Sequence, residues 1–537
     1  MNNKMKIRFL TIAALICSGT LMFAHHTIEA AENPMKIIWE QSVFNPHLND
    51  SIVKTEDAIV SVNEGKLQGS KNEGVFQFLG IPYAEAKKRF MKADSVMPWR
   101  GIKDATHYGK ISPQKIFGRE DIVLNTSNNC LNLNIWTTSL NTKSKKPVMV
   151  WLHGGGFKSG SANENQYDGE NLSRIGDVVV VSVNHRLNVL GFFNLTEYGD
   201  VYKDSANVGM LDILDSLKWV QENIEKFGGD PNNVTLFGES GGGAKVIALM
   251  GAPSAKGLFH KGIVQSGAIE TMGVSFMPND ISIEVTEETL KILHIDKENI
   301  EDLQNIEVEK LWEATSEAQA NIAKRKHINI GMIGGLEDKS IEGIDWEPVI
   351  GTSFLPTNPV LEKGFSDIGK DVALLIGSNL NEWNNLLPML QPQNIPQDVQ
   401  KLYNEGYPNE NPDEAAFLDT IIRLPLLKIM SHKADQQGAP VYSYVFTKQN
   451  DANVGVYHSA EIPYVFSNTN KYEKLAETMS IAWSNFARYG YPSAPGLPYW
   501  ENYNRQTKAT MILDDVSVLR HNHDEKLLKT LVPNYKY

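Results

Sequence analysis

Hydrophobic positions along this chain follow two rhythms that alternate. Short runs of apolar, mostly β-branched residues give way to stretches in which apolar positions recur every three or four residues. Val148 to Leu152 and Val178 to Val183 are such runs; the second is nearly all valine, as expected of a strand covered on both faces. Leu211, Leu214, Leu217, Val220, Ile224 and Phe227 then fall on one helical face, which Gly228 and Gly229 close. Val234 to Phe237, Val372 to Ile376 and Val441 to Phe446 return to strand. Leu475, Met479, Ala482, Trp483 and Phe486 predict a last amphipathic helix, stopped by Gly490. This alternation predicts an α/β fold with a large, mostly parallel sheet and helices on both faces.

Two segments break the rhythm. Residues 278–366 are charged and helical in pattern around Glu284 to Lys326, then glycine-rich from Gly331 to Gly343. Because the segment lies between two sheet strands, it reads as a cap-like helical insertion over the loop end of the sheet, either a solvated decoration or a substrate cap. At the N-terminus, Lys4, Lys6 and Arg8 precede an apolar run from Phe9 to Phe23, and small residues follow at Ala30 and Ala31. A positive start, a short apolar core and an alanine-rich exit describe a secretory signal peptide over 1–30. The run is short for a membrane span, and no second one is long enough. Residues 31–537 then read as one domain, expected to be secreted or periplasmic.

Composition narrows the partners. Hydrophobic residues at 42% and charged residues at 21% suit a soluble globular protein. A formal net charge of -13 argues against nucleic acid, which would want a basic face. Of the two cysteines, Cys17 falls in the export segment, which leaves Cys130 without an internal partner. A monomer or weak dimer is expected.

The chemistry gathers behind the strands. Gly238-Glu239-Ser240-Gly241-Gly242 follows directly on the 234–237 run and precedes a helical pattern. A serine on such a strand-to-helix turn has its hydroxyl thrust above the sheet, and small neighbours leave the turn room. His153-Gly154-Gly155-Gly156-Phe157 also follows a strand. Its glycines let backbone N–H groups approach a substrate, so Gly155 and Gly156, with the N–H of Gly241, are candidates for an oxyanion hole. Alone, that loop could equally be a phosphate loop or a plain turn. A nucleophilic serine needs a base, and the base an orienting acid, in the order serine, acid, histidine. Glu382 lies a few residues past the 372–376 strand, and only His458 follows a β-run by a loop. His432 sits in a lysine-flanked helical stretch, and His521 and His523 in a polar tail.

These stretches, taken together, resemble the type B carboxylesterase and cholinesterase family of the α/β-hydrolase fold, in particular its bacterial, para-nitrobenzyl-esterase-like members. The likeness runs from about Val60 to Asp515. It is carried by Phe78 to Ala84, Cys130 to Trp136, His153 to Phe157, Asn184 to Leu187, Phe227 to Gly242, Gly377 to Glu382 and Tyr457 to Tyr464. The resemblance implies a serine esterase with Ser240 as nucleophile, His458 as general base and Glu382 as acid, acting on an ester substrate with no metal and no cofactor. It also makes Ser266, in Gln265-Ser266-Gly267, a candidate hydrogen-bond partner close to the triad. A silent binding protein is the rival from another class, and a lipase, thioesterase or amidase the closer one. Several residues depart from the family's pattern. Asn128-Asn129 replace an acidic pair, so a buried salt bridge should be missing. Ser112 replaces the cysteine that usually pairs with the one at 130, so the disulfide is lost and the intervening loop should be more mobile. Gly241 replaces alanine, His185 tyrosine and Asn188 glycine. No tryptophan stands between Arg100 and Asn129, so choline esters are not favoured.

Overall fold

The valine run forms a strand at Val179–Val183, buried along its whole length, and the run before it extends to Lys146–Leu152. Both lie in the middle of one 13-stranded sheet. The computed structural model of the chain describes residues 54–115, 124–267, 276–327, 344–361, 364–382, 396–408, 410, 418–449, 455–469 and 471–537. Residues 1–30 with Cys17, on which the expected signal peptide falls, the glycine-rich stretch 331–343 and part of the loop between Ser112 and Cys130 lie outside these residues.

In chain order the sheet strands are β1 (Lys54–Val62), β2 (Gly65–Asn72), β3 (Val75–Pro82), β4 (Ile102–Asp104), β5 (Asn132–Thr137), β6 (Lys146–Leu152) and β7 (Val179–Val183). They continue with β8 (Gly229–Glu239), β9 (Lys261–Gln265), β10 (Ala373–Asn379), β11 (Val441–Phe446), β12 (Thr510–Leu513) and β13 (Val518–Arg520). Their spatial order is β1-β2-β3-β5-β7-β6-β8-β9-β10-β11-β12-β13, with β4 beside β2. From β7 to β12 every neighbour is parallel. Except for β4, which runs parallel to β2, the outer strands are antiparallel, a wing that the hydrophobic rhythm does not predict. Strand β2 shows why: its sequence GKLQGSKN is polar and mixed in burial, so no run of apolar residues marks it.

The helix predicted after β7 spans Val208–Asn223 (α1). Its last turn tightens into a 3-10 helix at Ile224–Phe227, and Gly228 closes it in the left-handed conformation at φ 75°. Gly229 already belongs to β8. One member of the predicted apolar face, Leu211, is only half-buried, while Asp212 on the same helix is fully buried. The reason is Arg186, whose Nε and a terminal nitrogen bond the Asp212 carboxylate at 2.8 and 2.6 Å inside the protein. The final amphipathic helix spans Lys474–Tyr489, with Gly490 at φ 82° as its stop.

Between β9 and β10, helices Asn279–Leu293 (α2) and Val308–Lys326 (α3) pack together. Leu290, Leu293, Leu303 and Leu311 form one buried apolar cluster with Phe90, Val189, Leu190 and Phe193 of the body. The insertion is therefore docked through an apolar face, not solvated all round. No helix among the described residues is long and apolar enough to cross a membrane.

Candidate active site

Register decides where the loops emerge. Leu152 pairs with Val183 and Gly238, and Gln265 pairs with Glu239 and Gly377. The carboxyl ends of β6, β8, β9 and β10 thus lie close to level, and the segments that leave them face one another. In open parallel sheets this edge is where ligands bind. Ser240 leaves β8, Ser266 leaves β9, Glu382 follows β10, and His458 follows β11.

Ser240 has φ 54° and ψ -126°, a conformation L-residues rarely adopt. It stands directly before a buried helix at Gly241–Met250. Its backbone N–H donates to the Gln265 carbonyl at 2.8 Å, and its own carbonyl accepts from Ala244 at 3.2 Å. The turn has room only for glycines. A Cβ on Gly242 would run into the Leu152 carbonyl, and one on Gly238 would lie 2.6 Å from the same oxygen. Ser266, Glu382 and Ser459 also have positive φ, at 50°, 41° and 72°. Strained non-glycine residues thus gather around one point, as they do where function holds a backbone against its preference.

Glu382 is fully buried and doubly engaged. One carboxylate oxygen, Oε2, lies 2.6 Å from His458 Nδ1. The other, Oε1, accepts from the Ser266 hydroxyl and the Asn379 N–H, each at 2.7 Å. A parallel bridge between Glu382 and Tyr457 fixes the two loops to each other, with the His458 N–H donating to the Glu382 carbonyl at 3.1 Å. His458 Nε2 points toward β8, 3.1 Å from Glu239 Oε1. Burial by itself would lower the imidazole pKa, but the charges of Glu239 and Glu382 outweigh it and hold His458 above the usual histidine value. Burial raises the Glu239 carboxyl in turn, opposed by His458. Ser240 is half-buried, and its hydroxyl makes no hydrogen bond among the described residues. The nucleophile–base hydrogen bond expected from the sequence is thus not formed in this structure; such bonds often tighten only in the reacting complex.

The loop His153 to Phe157 lies against the serine turn. A Cβ on Gly154 would stand 2.8 Å from Glu239 Oε2 and 3.4 Å from Ser240 Cβ. Gly155 and Gly156 have φ 80° and 61°. Among the described residues, the N–H groups of Gly155, Gly156 and Gly241 have no protein acceptor. The neighbouring carbonyls are all taken. His153 Nδ1 donates to Gly154 O at 2.9 Å, and the Ser159 N–H to Gly155 O at 3.1 Å. The Asn188 N–H donates to Phe157 O at 2.7 Å. The Asn188 side chain donates to Lys158 O at 3.2 Å and Pro113 O at 2.9 Å, and accepts from Trp312 of α3 at 3.2 Å. Asn188 has φ 49°, which accounts for a glycine in that place being usual. His185 stacks on His153 with ring centroids 5.0 Å apart, and burial holds both below the usual histidine pKa.

The remaining expectations fall out simply. Asn129 accepts the Ala86 N–H at 2.9 Å where an acid was expected from the family pattern. Cys130 is a free, fully buried thiol that burial pushes up to about 12. His432 lies in the helix Arg423–Asp435, away from the triad loops. His523 does not sit in a polar tail: it is buried edge-on to Tyr407, just before the helix Glu525–Leu531. Nothing in the sequence alone marks Glu239 or Asn379 as part of the site. Glu239 was visible only as the variable position of the serine motif. Among the described residues, no group of three or more His, Cys, Asp or Glu side chains is arranged to hold a metal ion.

A family model described as "Carboxylesterase family" matches residues 56–416 and 414–529. The chain belongs to the carboxylesterase family. It is a carboxylic ester hydrolase of the α/β-hydrolase fold. It is 31% identical over 518 residues to the para-nitrobenzyl esterase of Bacillus subtilis (strain 168), covering 89% of this chain and 99% of the relative. It is 32% identical over 507 residues to pyrethroid hydrolase Ces2e of Rattus norvegicus, covering 82% and 84%. Among solved structures, an esterase from the anaerobe Clostridium hathewayi, described as able to hydrolyse aliphatic aromatic polyesters, superposes with a TM-score of 0.77 at 32% identity. That match covers 90% of this chain and 100% of the other.

Proposed function

We infer that this carboxylesterase hydrolyses its ester through a covalent intermediate on Ser240. The Ser240 hydroxyl attacks the ester carbonyl carbon, His458 Nε2 takes the proton, and Glu382 holds the imidazole in the tautomer whose Nε2 carries the lone pair. The N–H groups of Gly155, Gly156 and Gly241 receive the charge that develops on the carbonyl oxygen; one such donor is typically worth about 3–4 kcal/mol. The alcohol leaves with the proton from His458, and water clears the acyl-serine by the same route in reverse. Ser266 acts through Glu382. The observation that carries this reading is the Glu382 carboxylate bonded to His458 by one oxygen and to Ser266 and Asn379 by the other, on the sheet edge that also carries a strained serine with three neighbouring N–H groups uncommitted.

Ser240→Ala tests it: turnover should fall by about 10⁶-fold, and labelling by a fluorophosphonate should vanish. Turnover within tenfold of wild type in that variant would end the proposal. Wild-type labelling would also set aside a silent binding protein, because only an activated serine reacts.

The relatives' names support an aromatic carboxylic ester as substrate, with the 278–366 insertion closing over it; a panel of aryl and alkyl esters of graded chain length decides between esterase and lipase preference. Export through residues 1–30 belongs to the same proposal, and so does a monomeric or weakly dimeric state. Mass spectrometry of the exported chain's N-terminus and analytical ultracentrifugation check them.

A further inference from the structure

Five residues past Ser240, on the helix that it heads, the sequence places Lys245. Its side chain is fully buried. An ammonium taken out of water costs several kcal/mol unless it is bonded or paired, so a lysine here calls for a physical reason. Its partners are two backbone oxygens. Lys245 Nζ donates to the His153 carbonyl and to the Gly156 carbonyl, each at 2.9 Å. It also stands over the Phe157 ring, 5.2 Å from the centroid.

Those two carbonyls bracket the proposed oxyanion hole. A trans peptide unit is planar, with its C=O and N–H pointing to opposite sides. The carbonyls of His153 and Gly156 are drawn inward by one nitrogen, and those of Gly154 and Gly155 are held by His153 Nδ1 and the Ser159 N–H. The N–H groups of Gly155 and Gly156 share their peptide planes with these last two carbonyls, so they are left facing away from the anchors. Glycines supply the left-handed turns this requires, but they also make the loop floppy unless something pins it. The pin is Lys245.

The geometry points to Lys245 as a positioning residue of the ester hydrolysis: by clasping both ends of the His153–Gly156 loop, it fixes the Gly155 and Gly156 N–H groups on the oxyanion. Burial pulls its amine down to about 7, opposed by the charge of Glu239. The clasp survives that titration, because the neutral amine keeps two N–H bonds for two carbonyls. The lysine touches neither substrate nor Ser240. Its effect passes through the loop, and it rests on the reading of Ser240 as nucleophile.

The test compares Lys245→Met, Lys245→Gln and Ser240→Ala with the wild-type chain. Hydrolysis of 4-nitrophenyl acetate gives kcat and KM; inhibition by an aryl trifluoromethyl ketone, whose hemiketal oxygen occupies the hole, reports the hole directly; a melting curve reports the fold. Both acylation and deacylation pass through the oxyanion, so kcat falls whichever step limits. Lys245→Met should lose about 10- to 100-fold in kcat with KM within threefold, and the ketone should weaken by a similar factor. Lys245→Gln, which offers two N–H bonds on a shorter stem, should recover part of the loss. The inference is overturned if Lys245→Met keeps kcat within threefold of wild type, or if kcat falls while ketone affinity holds. It is equally overturned if neither variant folds, since the lysine's role is then structural. Activity surviving in Ser240→Ala would instead bring down the nucleophile assignment on which the inference stands.

Discussion

His458 Nε2 stands 3.1 Å from Glu239 Oε1, while Nδ1 of the same ring stands 2.6 Å from Glu382 Oε2. The imidazole is therefore held between two buried carboxyl groups, one on the strand that delivers the nucleophile and one on the neighbouring loop. Each stabilises the protonated ring, and the protonated ring cannot act as a base.

The sign of the pH dependence follows. Activity rises as His458 loses its proton, so the ascending limb of kcat/KM should lie above the ordinary histidine value of about 6.5. Glu239→Gln removes one of the three carboxylates that raise the imidazole, the others being Glu382 and Glu461. The limb should then move to lower pH, by about one unit or more. A pH profile from 5 to 10 on both proteins checks this, and a limb that stays put would show that Glu239 does not govern His458.

Gly241 offers a contest of two effects. In the first turn of a helix, alanine normally gains about 0.5–1 kcal/mol over glycine. Here a Cβ would run into the Gly156 carbonyl oxygen and lie 2.6 Å from the Gly156 carbonyl carbon. Both are backbone atoms, and overpacking of that kind costs about 1–3 kcal/mol. The clash should win. Gly241→Ala is expected to lower the melting temperature and to reduce kcat by about tenfold or more as the loop is pushed off its position. Steady-state kinetics beside calorimetry decide it, and a faster or more stable variant would show that the loop yields freely.

The pair Arg186–Asp212 bears on the fold more than on the chemistry. Both side chains are buried, and the guanidinium bonds the carboxylate twice while also donating to the Met91 carbonyl at 2.7 Å. Asp212→Ala strands a buried cation, a change that typically costs about 3–5 kcal/mol. Urea unfolding should show a midpoint lowered accordingly with kcat per folded molecule little altered. A loss below about 1 kcal/mol would mean that water reaches the guanidinium.

The meeting of Ser240, Glu382 and His458 at one edge of the sheet was legible in the sequence because each follows a strand that its own hydrophobic run announces. Gly155 and Gly156 were legible for the same reason, and Ser266 only through the family resemblance. Lys245 was not: a lysine among Gly, Ala and Val gives no sign of which carbonyls it will meet, and the usual reading of its charge is a solvated face. Glu239 was hidden in plain view, since its neighbours defined the motif and its own side chain meets His458 only after β8 and β11 have been brought into one sheet. Asp212 broke the predicted helical face because its partner lies on a distant loop. The antiparallel wing escaped because pairing satisfies β2's backbone without demanding an apolar run.

A single carboxamide at position 188 ties the insertion's Trp312 to the segments carrying Pro113 and Lys158. A displacement of α3 is thereby passed to the stretch directly after the His153–Phe157 loop through one side chain, so insertion and loop are mechanically coupled at one point.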